Sequence, residues 1–249
     1  MKKARNRFAV GLAALLSLCL IAFAACGDKD SSSGGGKVSD KEWAHYFSLV
    51  SESTKSITLK ETEGSKYGKD QAEEYGKWDK SVMISKIDSV NEVIEQKATR
   101  EYYNANAEGT DKFVTDHDTD YYFKYNSKYY HYSKFNQNDA QIEEMTKADF
   151  TQHVEDMSNQ SAMFQSYAQP AMKQAFKYNS ETKTYEMVQM GTMKIGFRFE
   201  KNDTFTYIME ENSLESYEIT MSNADKTTVT VPNDVKAAVD AYIAAQAQA

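Results

Sequence analysis

Three aspartates at alternate positions form the most suggestive chemical motif in this chain of 249 residues. Asp116, Asp118 and Asp120 have the spacing that opens a calcium-binding loop, in which carboxylate oxygens hold the ion. The rest of that loop is missing, because Tyr121 occupies the position of the required glycine and Ser127 that of the bidentate glutamate. We therefore predict no metal site, and on a β-strand these carboxylates line one solvated edge or face.

The other residue types with catalytic potential are scattered along the chain. No histidine stands four residues from another, the spacing that places two imidazoles on one side of a helix to bind zinc. There is no G-x-S-x-G motif to present a nucleophilic serine, and Gly34-Gly35-Gly36 lies in a flexible tether rather than before a phosphate-binding helix. The four histidines are His45, His117, His131 and His153. We predict a non-enzymatic protein with no catalytic residues and no cofactor.

The N-terminus carries the clearest signal. Four basic side chains precede the apolar stretch from Phe8 to Ala25, which ends in small residues, and this pattern predicts a signal peptide over residues 1–25. The sequence Phe23-Ala24-Ala25-Cys26 resembles the lipobox of bacterial lipoproteins, with Phe23 where leucine is usual. The resemblance implies cleavage before Cys26, a diacylglycerol thioether and further acylation (palmitate) on Cys26, and attachment to the extracytoplasmic face of the cell membrane.

Two other interpretations of the N-terminus stay open. Ala22-Phe23-Ala24 is an A-x-A site for ordinary secretion, and the apolar stretch approaches the minimum length of a transmembrane helix, roughly 18 residues. The cysteines favour lipidation, because Cys19 is lost with the leader and Cys26 is then the single cysteine of the mature chain. A disulfide framework needs an even number of cysteines.

Charge and linker composition bear on the partners. Residues 26–38 are predicted to be a lipidated cysteine followed by a flexible Gly/Ser linker. The root-mean-square end-to-end distance of this linker is about 20 Å. The whole chain has a net charge of −8, and the leader contributes four positive charges, so the mature chain carries about −12. This charge excludes nucleic acid as a partner and argues against electrostatic binding to anionic lipid. The membrane is therefore reached through the acyl chains on Cys26.

Residues 39–249 suit a single domain that is rich in β-sheet. They contain three leucines and seventeen tyrosines, and tyrosine favours the pleated surface of a sheet. Capping boxes at Ser39-x-x-Glu42 and Thr146-x-x-Asp149 predict helices, the first ending near Ser53 and the second opening a helical insertion over 138–176. Alternating apolar residues before and after the insertion predict two runs of hairpins, and a last helix begins near Asn233.

Consecutive hairpins without crossover helices require an antiparallel sheet. The predicted fold class is α+β: a large curled antiparallel sheet, or open half-barrel, wrapped around the helical insertion, with N- and C-terminal helices. Together with the ending Val231-Pro232-Asn233-Asp234-Val235, this order is similar to the half-barrel lipoproteins of the LolA and LppX/LprG kind. The resemblance implies a concave sheet face that holds a lipid, an acyl chain or another apolar ligand, and it implies no catalytic residues.

One hairpin is the predicted ligand-facing wall. Asn126-Ser127 is a turn pair that tolerates positive φ, and it sets the register so that five aromatic side chains share one face. These residues are Tyr121, Phe123, Tyr125, Tyr130 and Tyr132. The predicted function is a membrane-anchored lipoprotein that binds or carries an apolar ligand. The alternative is a cell-surface adhesion or assembly module that binds glycan or protein.

Replacing Cys26 by alanine tests the anchor. Cys26→Ala should move the protein from the membrane fraction to the medium, or leave it as uncleaved precursor, because the thioether cannot form without the thiol. Membrane fractionation and electrophoretic migration measure this. A mutant that fractionates and migrates like the wild type contradicts the assignment of Cys26 as the anchor.

Overall fold

One antiparallel sheet of eleven strands organises the residues that the computed structural model describes, which are 37–51, 53–107, 112–189, 193–210 and 214–248. The predicted signal peptide, Cys26 and most of the predicted linker lie outside the described residues. The strands are β1 (Ser56–Ser65), β2 (Asp79–Asp88), β3 (Val93–Tyr103), β4 (Phe113–Tyr125), β5 (Lys128–Phe135), β6 (Gln141–Met145), β7 (Lys177–Asn179), β8 (Thr184–Gln189), β9 (Met193–Glu200), β10 (Thr204–Glu210) and β11 (Glu215–Ser222).

The sheet consists of two meanders joined by their first and last strands. Its order is β6-β5-β4-β3-β2-β1-β11-β10-β9-β8-β7, and every pair is antiparallel. The sheet is not closed, so β6 and β7 are its two edges. The predicted α+β class with one large, open antiparallel sheet is confirmed.

Five α-helices accompany the sheet within the described residues. They are α1 (Asp40–Ser48), α2 (Ala72–Tyr75), α3 (Lys147–Gln165), α4 (Pro170–Lys173) and α5 (Asn233–Gln246). Both predicted capping boxes are present, at Ser39 with Glu42 and at Thr146 with Asp149. The insertion breaks before Pro170, which stands at the first position of α4 because its ring cannot continue a preceding helix.

The first helix is shorter than the sequence predicts. α1 ends at Ser48 rather than near Ser53. The hydroxyl of Thr54 donates to the carbonyl of Leu49 at 3.0 Å and accepts the amide of Ser51 at 3.1 Å. Serine and threonine side chains that bond locally to the backbone compete with continued helix in this way.

The structure also corrects the prediction that the region after Asn138 is helical from its start. β6 occupies Gln141–Met145 and pairs with β5, placing Ile142 opposite Tyr132. The strand is short, polar and mostly exposed, so it shows little of the apolar alternation that marks a half-buried strand. Short and charged edge strands protect an open sheet from pairing with other chains.

The two faces of the sheet are covered by different helices. α1 and α3 lie against what we call the α3 face, and the aromatic core there surrounds Trp43. The indole nitrogen of Trp43 donates to the carbonyl oxygen of Tyr167 at 2.6 Å, which ties α1 to the insertion. The core aromatic side chains are Trp43, Phe47, Phe164, Tyr167, Phe176, Tyr185, Phe197, Phe199, Phe205 and Tyr207.

The opposite side, which we call the α5 face, is covered at the β4–β5 end by the C-terminal helix. After β11 the chain crosses β1, β2 and β3 before α5 begins, and Thr227 contacts Thr58 on the way. The carboxylate of Asp88 is 2% exposed and accepts the amide of Val229 at 3.2 Å. Asn91 donates two further hydrogen bonds to the same carboxylate, so Asp88 fixes the point where the C-terminal segment reaches β3.

Asp88→Ala should destabilise the domain. The buried amide of Val229 loses its acceptor, and an unsatisfied buried donor costs about 1–3 kcal/mol. Urea unfolding measures the change. Asp240→Ala is the matched control on α5 itself, because Asp240 is exposed and, among the described residues, its carboxylate accepts a bond only from the Tyr125 hydroxyl, at 3.2 Å. Equal stability of the two variants would contradict a structural role for the Asp88–Val229 contact.

Candidate functional site

The predicted aromatic wall has the expected register. Tyr121 lies opposite Tyr132 and Phe123 opposite Tyr130, and both turn residues adopt positive φ, 47° at Asn126 and 69° at Ser127. The five aromatic side chains therefore lie on one side of the hairpin, as predicted, and this side is the α5 face.

These side chains belong to the protein core. Tyr121, Phe123, Tyr130 and Tyr132 are between 1% and 7% exposed, and they pack with valines of the C-terminal segment and of α5. Tyr125 is half-buried at the rim. The sequence showed that the five rings share a face, but it did not show that α5 would cover that face. Their contact with a ligand stays a prediction.

Glu95 explains how the hydroxyl of Tyr121 is satisfied in this core. The Glu95 carboxylate accepts bonds from the Tyr121 hydroxyl at 2.7 Å, from Lys97 at 2.6 Å and from Lys86 at 2.7 Å. Burial acts to raise the pKa of Glu95, but the three donors outweigh it and lower the pKa to about 2. This cluster is a fully paired structural site.

The side chains on the α3 face differ in size and polarity from strand to strand. Large aromatic side chains fill it over β8–β10, and aliphatic side chains follow on β11 and β1, among them Leu59 and Ile219. Over β2–β4 the side chains in the middle of this face become small or polar, except for Met83. The residues of this third part are Ser81, Met83, Ser85, Gln96, Ala98, Arg100, Asp116, Asp118 and Asp120.

Glu61 lies at the boundary between the aliphatic and polar parts. It is 8% exposed, between Ile219 on β11 and Met83 on β2. Its Oε2 accepts the Tyr217 hydroxyl at 3.0 Å. Burial raises the pKa of Glu61, the bond from Tyr217 lowers it, and Glu63 raises it further, so the pKa lies above its usual value.

Polar contacts continue from Glu61 toward β4. The Gln96 amide donates to the hydroxyl of Ser85 at 3.2 Å. Asp118 is half-buried, and its Oδ1 is a fully buried side-chain atom that has no hydrogen-bond partner in the described part of the chain. Burial raises the pKa of Asp118, and the neighbouring carboxylate of Asp120 adds to the rise.

On β5, next to these polar contacts, a histidine stacks on an aromatic ring. The ring of His131 lies parallel to that of Tyr122, with centroids 4.3 Å apart and planes within 3°. His131 contacts Asp120 at 2.8 Å through Nε2 and Glu143 at 3.2 Å through Nδ1. Burial acts to lower the pKa of His131, but the two carboxylates outweigh it, so the pKa is raised. These bonds fix the β4–β5–β6 edge of the sheet.

The three alternating aspartates do not form a shared binding site. Asp116 accepts a bond from Asn136, Asp120 contacts His131, and Asp118 stands between them on the same face of β4. In the part of the chain that the structure describes, no group of three or more histidine, cysteine, aspartate or glutamate side chains is placed to hold a metal ion.

The other histidines are dispersed. His45 bonds to Asp203 at 3.0 Å, and His153 packs against Tyr122. His117 Nδ1 lies 3.2 Å from the hydroxyl of Thr99, and this hydroxyl–imidazole contact is exposed on the side opposite Glu61.

Sequence reasoning missed Glu61 as a site residue, although one signal was present. Ile57, Leu59 and Glu61 occupy alternate positions of β1, so a carboxylate falls on the face that the two apolar residues bury. An acidic side chain at a position where the alternation of a strand predicts a buried apolar residue is a candidate functional residue.

Comparison of the chain with models of protein families, with curated proteins and with solved structures finds no match. The likeness to the half-barrel lipoproteins and to the lipobox therefore stays a prediction from the sequence. Among the helices of the described segments, none combines the length and the apolar composition that crossing a membrane requires.

Glu95→Gln should cost about 1.5–3 kcal/mol at pH 7, because it removes hydrogen bonds to a charged group. The lowered pKa makes the wild-type stabilisation complete above about 4.5, the ordinary pKa, and lost as the pH falls toward 2. Urea unfolding at pH 7 and at pH 2.5 should therefore show a deficit that shrinks in acid. The exposed Glu155→Gln is the control, and a deficit that stays constant with pH would contradict the pairing.

Proposed function

We propose that this chain is a membrane-anchored extracytoplasmic lipoprotein, without enzymatic activity, that binds an apolar ligand on the α3 face of its sheet. The observation that carries the proposal is the change along that face from large aromatic to small and polar side chains beneath one continuous helix. The ligand is a lipid or another molecule with an acyl or alkyl chain. The aromatic side chains of the β4–β5 hairpin pack against the valines of α5, so the site proposed here lies on the other face of the sheet.

The start of the folded domain supports the anchoring part of the proposal. The backbone of Val38 bonds to the sheet, because its amide donates to the Tyr185 hydroxyl at 2.9 Å, and that hydroxyl donates to the Val38 carbonyl at 3.3 Å. α1 begins two residues later with its capping box. Val38, the last residue of the predicted linker, is thus already packed on the sheet, which suits a domain tethered through Cys26.

The reach of α3 supports a sheet that curls around the insertion. Phe150 packs on Tyr129 of β5, and Phe164 packs on Tyr207 of β10. The helix rises about 21 Å between these two phenylalanines. A flat sheet separates β5 from β10 by about 29 Å, since neighbouring strands lie about 4.8 Å apart. Bending toward α3 brings both contacts within the length of the helix.

Side-chain size supports room for a ligand beneath the middle of α3. A helix packed on a sheet needs large side chains to fill the space between them, as the phenylalanines of β9 and β10 do. Over β2 and β3 the same face carries the small residues Ser81, Ser85 and Ala98 beside the longer but unbranched or polar side chains of Met83, Gln96 and Arg100. An alkyl chain placed over these residues would complete the packing that β9 and β10 achieve with their own rings.

A glycan- or protein-binding surface module is the second candidate. Tyr75 is 41% exposed, and its ring lies 4.2 Å from that of Tyr67, centroid to centroid. Exposed tyrosine pairs present an apolar ring face with a polar tip, which suits a sugar ring or a protein surface. The two candidates differ in location, since this pair lies in the segment between β1 and β2 and not beneath α3.

Filling the proposed site with a larger side chain tests the first candidate. Ala98→Phe should weaken binding of a neutral apolar dye, N-phenyl-1-naphthylamine, by tenfold or more and change the melting temperature by only a few degrees. Dye fluorescence and thermal melting measure both quantities. Thr99→Phe is the matched control, because the neighbouring residue points to the opposite face. Overpacking of a filled core costs about 1–3 kcal/mol, so destabilisation with unchanged dye binding would contradict the proposal.

A further inference from the structure

We infer that Glu61, with Tyr217, forms a subsite for a protonated amine, so that the ligand of the α3 face is a cationic amphiphile: an alkyl or acyl chain that ends in an ammonium group. The inference rests on the proposed function and specifies the chemical class of its ligand. It does not depend on the membrane anchor.

The first observation is the incomplete pairing of a buried carboxylate. Glu61 is more than nine-tenths buried, and its Oε2 accepts a single bond, from Tyr217. Its Oε1 accepts no hydrogen bond from any of the described residues. Oε1 keeps some contact with solvent, because among the described residues only Asp118 Oδ1 is a fully buried side-chain oxygen or nitrogen without a partner. A mostly buried carboxylate with one neutral donor is still costly, and apolar packing in its place is often more stable. Stability alone therefore gives no reason for a glutamate here.

The second observation is the contrast between Glu61 and Glu95, which lie on opposite faces of the same sheet. They are almost equally buried, 8% and 6% exposed. Glu95 has three donors and a pKa lowered to about 2, whereas Glu61 has one neutral donor and a raised pKa. The sheet pairs a buried glutamate completely where the role is structural, and Glu61 lacks this pairing.

The missing partner has a definite chemistry. An ammonium group carries three N–H donors and a positive charge, and no acceptor. It can therefore satisfy Oε1 and neutralise the carboxylate in one contact, while the Tyr217 hydroxyl keeps Oε2 in place. The neighbouring Met83 and Ile219 are apolar, as a subsite that also meets the first methylene groups of an alkyl chain requires.

The nearest charge on this face disfavours the opposite class of ligand. Glu63 follows on the same face of β1, and Asp118 lies farther along the face, where its Oδ1 has no donor among the described residues. Arg100, a cation on this face, lies two strands away on β3 and contacts Asp79 at 3.8 Å. A fatty-acid carboxylate or a lipid phosphate brought to Glu61 would meet these negative charges at low dielectric, where repulsion is strong. A neutral head group would leave Oε1 without its charge-assisted partner.

The test compares three twelve-carbon probes below their micellar concentrations: dodecylammonium, dodecanol and dodecanoate. Isothermal titration at pH 7 should show that the wild type binds dodecylammonium at least tenfold more tightly than dodecanol, and dodecanoate most weakly. Glu61→Gln keeps an acceptor for Tyr217, and it should bind the ammonium and the alcohol equally. Glu155→Gln, an exposed change on α3, should keep the wild-type order.

Each outcome separates the inference from the proposed function. Equal wild-type binding of the three probes, or a preference for the ammonium that survives Glu61→Gln, overturns the amine subsite and leaves the apolar site standing. Failure of the wild type to bind any probe overturns the proposed function itself. A parallel loss of all three probes in Glu61→Gln, with a lower melting temperature, assigns Glu61 a structural role and also overturns the inference. The wild-type preference is informative even where the variant fails to fold.

Discussion

The antiparallel pairing of β1 with β11 is the constraint on which the rest of the structure depends. It joins the first strand of one meander to the last strand of the other, over a ladder that runs from Thr58 opposite Ser222 to Ser65 opposite Glu215. This pairing leaves β6 and β7, which are close in sequence, at the two opposite edges of the sheet. The chain between them must therefore cross the whole width of one face, and the insertion that contains α3 makes this crossing.

Because the insertion crosses one face of the sheet, different helices cover the two faces. α3 and α1 cover one face, so the C-terminal helix packs on the other, where the aromatic hairpin and the Asp88 carboxylate receive it. The α5 face carries a fully paired carboxylate in Glu95, and the α3 face carries an incompletely paired one in Glu61. A helix that crosses a sheet is held at its ends, and between those ends the space beneath it depends on the size of the sheet's own side chains. Under the proposed function, the small residues in that interval leave space for the ligand.

Local signals in the sequence predicted the local structure well. The capping boxes at Ser39 and Thr146 and the Asn126-Ser127 turn depend on residues a few positions apart, and the structure confirms all three. β6 was missed because an edge strand needs no apolar alternation. The covering of the hairpin by α5 was missed because it depends on contacts across more than a hundred residues, which no periodicity records. The buried position of Glu61 was visible in the pattern of β1, but its single donor comes from Tyr217, far along the chain.

Native mass spectrometry of the mature chain, isolated from membranes of a bacterial host that expresses the full sequence, tests the central claim most directly. The account predicts that the protein carries one non-covalent ligand, that this ligand contains an alkyl or acyl chain with a protonated amine, and that Ala98→Phe releases it. A wild-type protein that bears only the mass of its own chain and covalent anchor, or that retains an anionic lipid equally in wild type and Ala98→Phe, would contradict the claim.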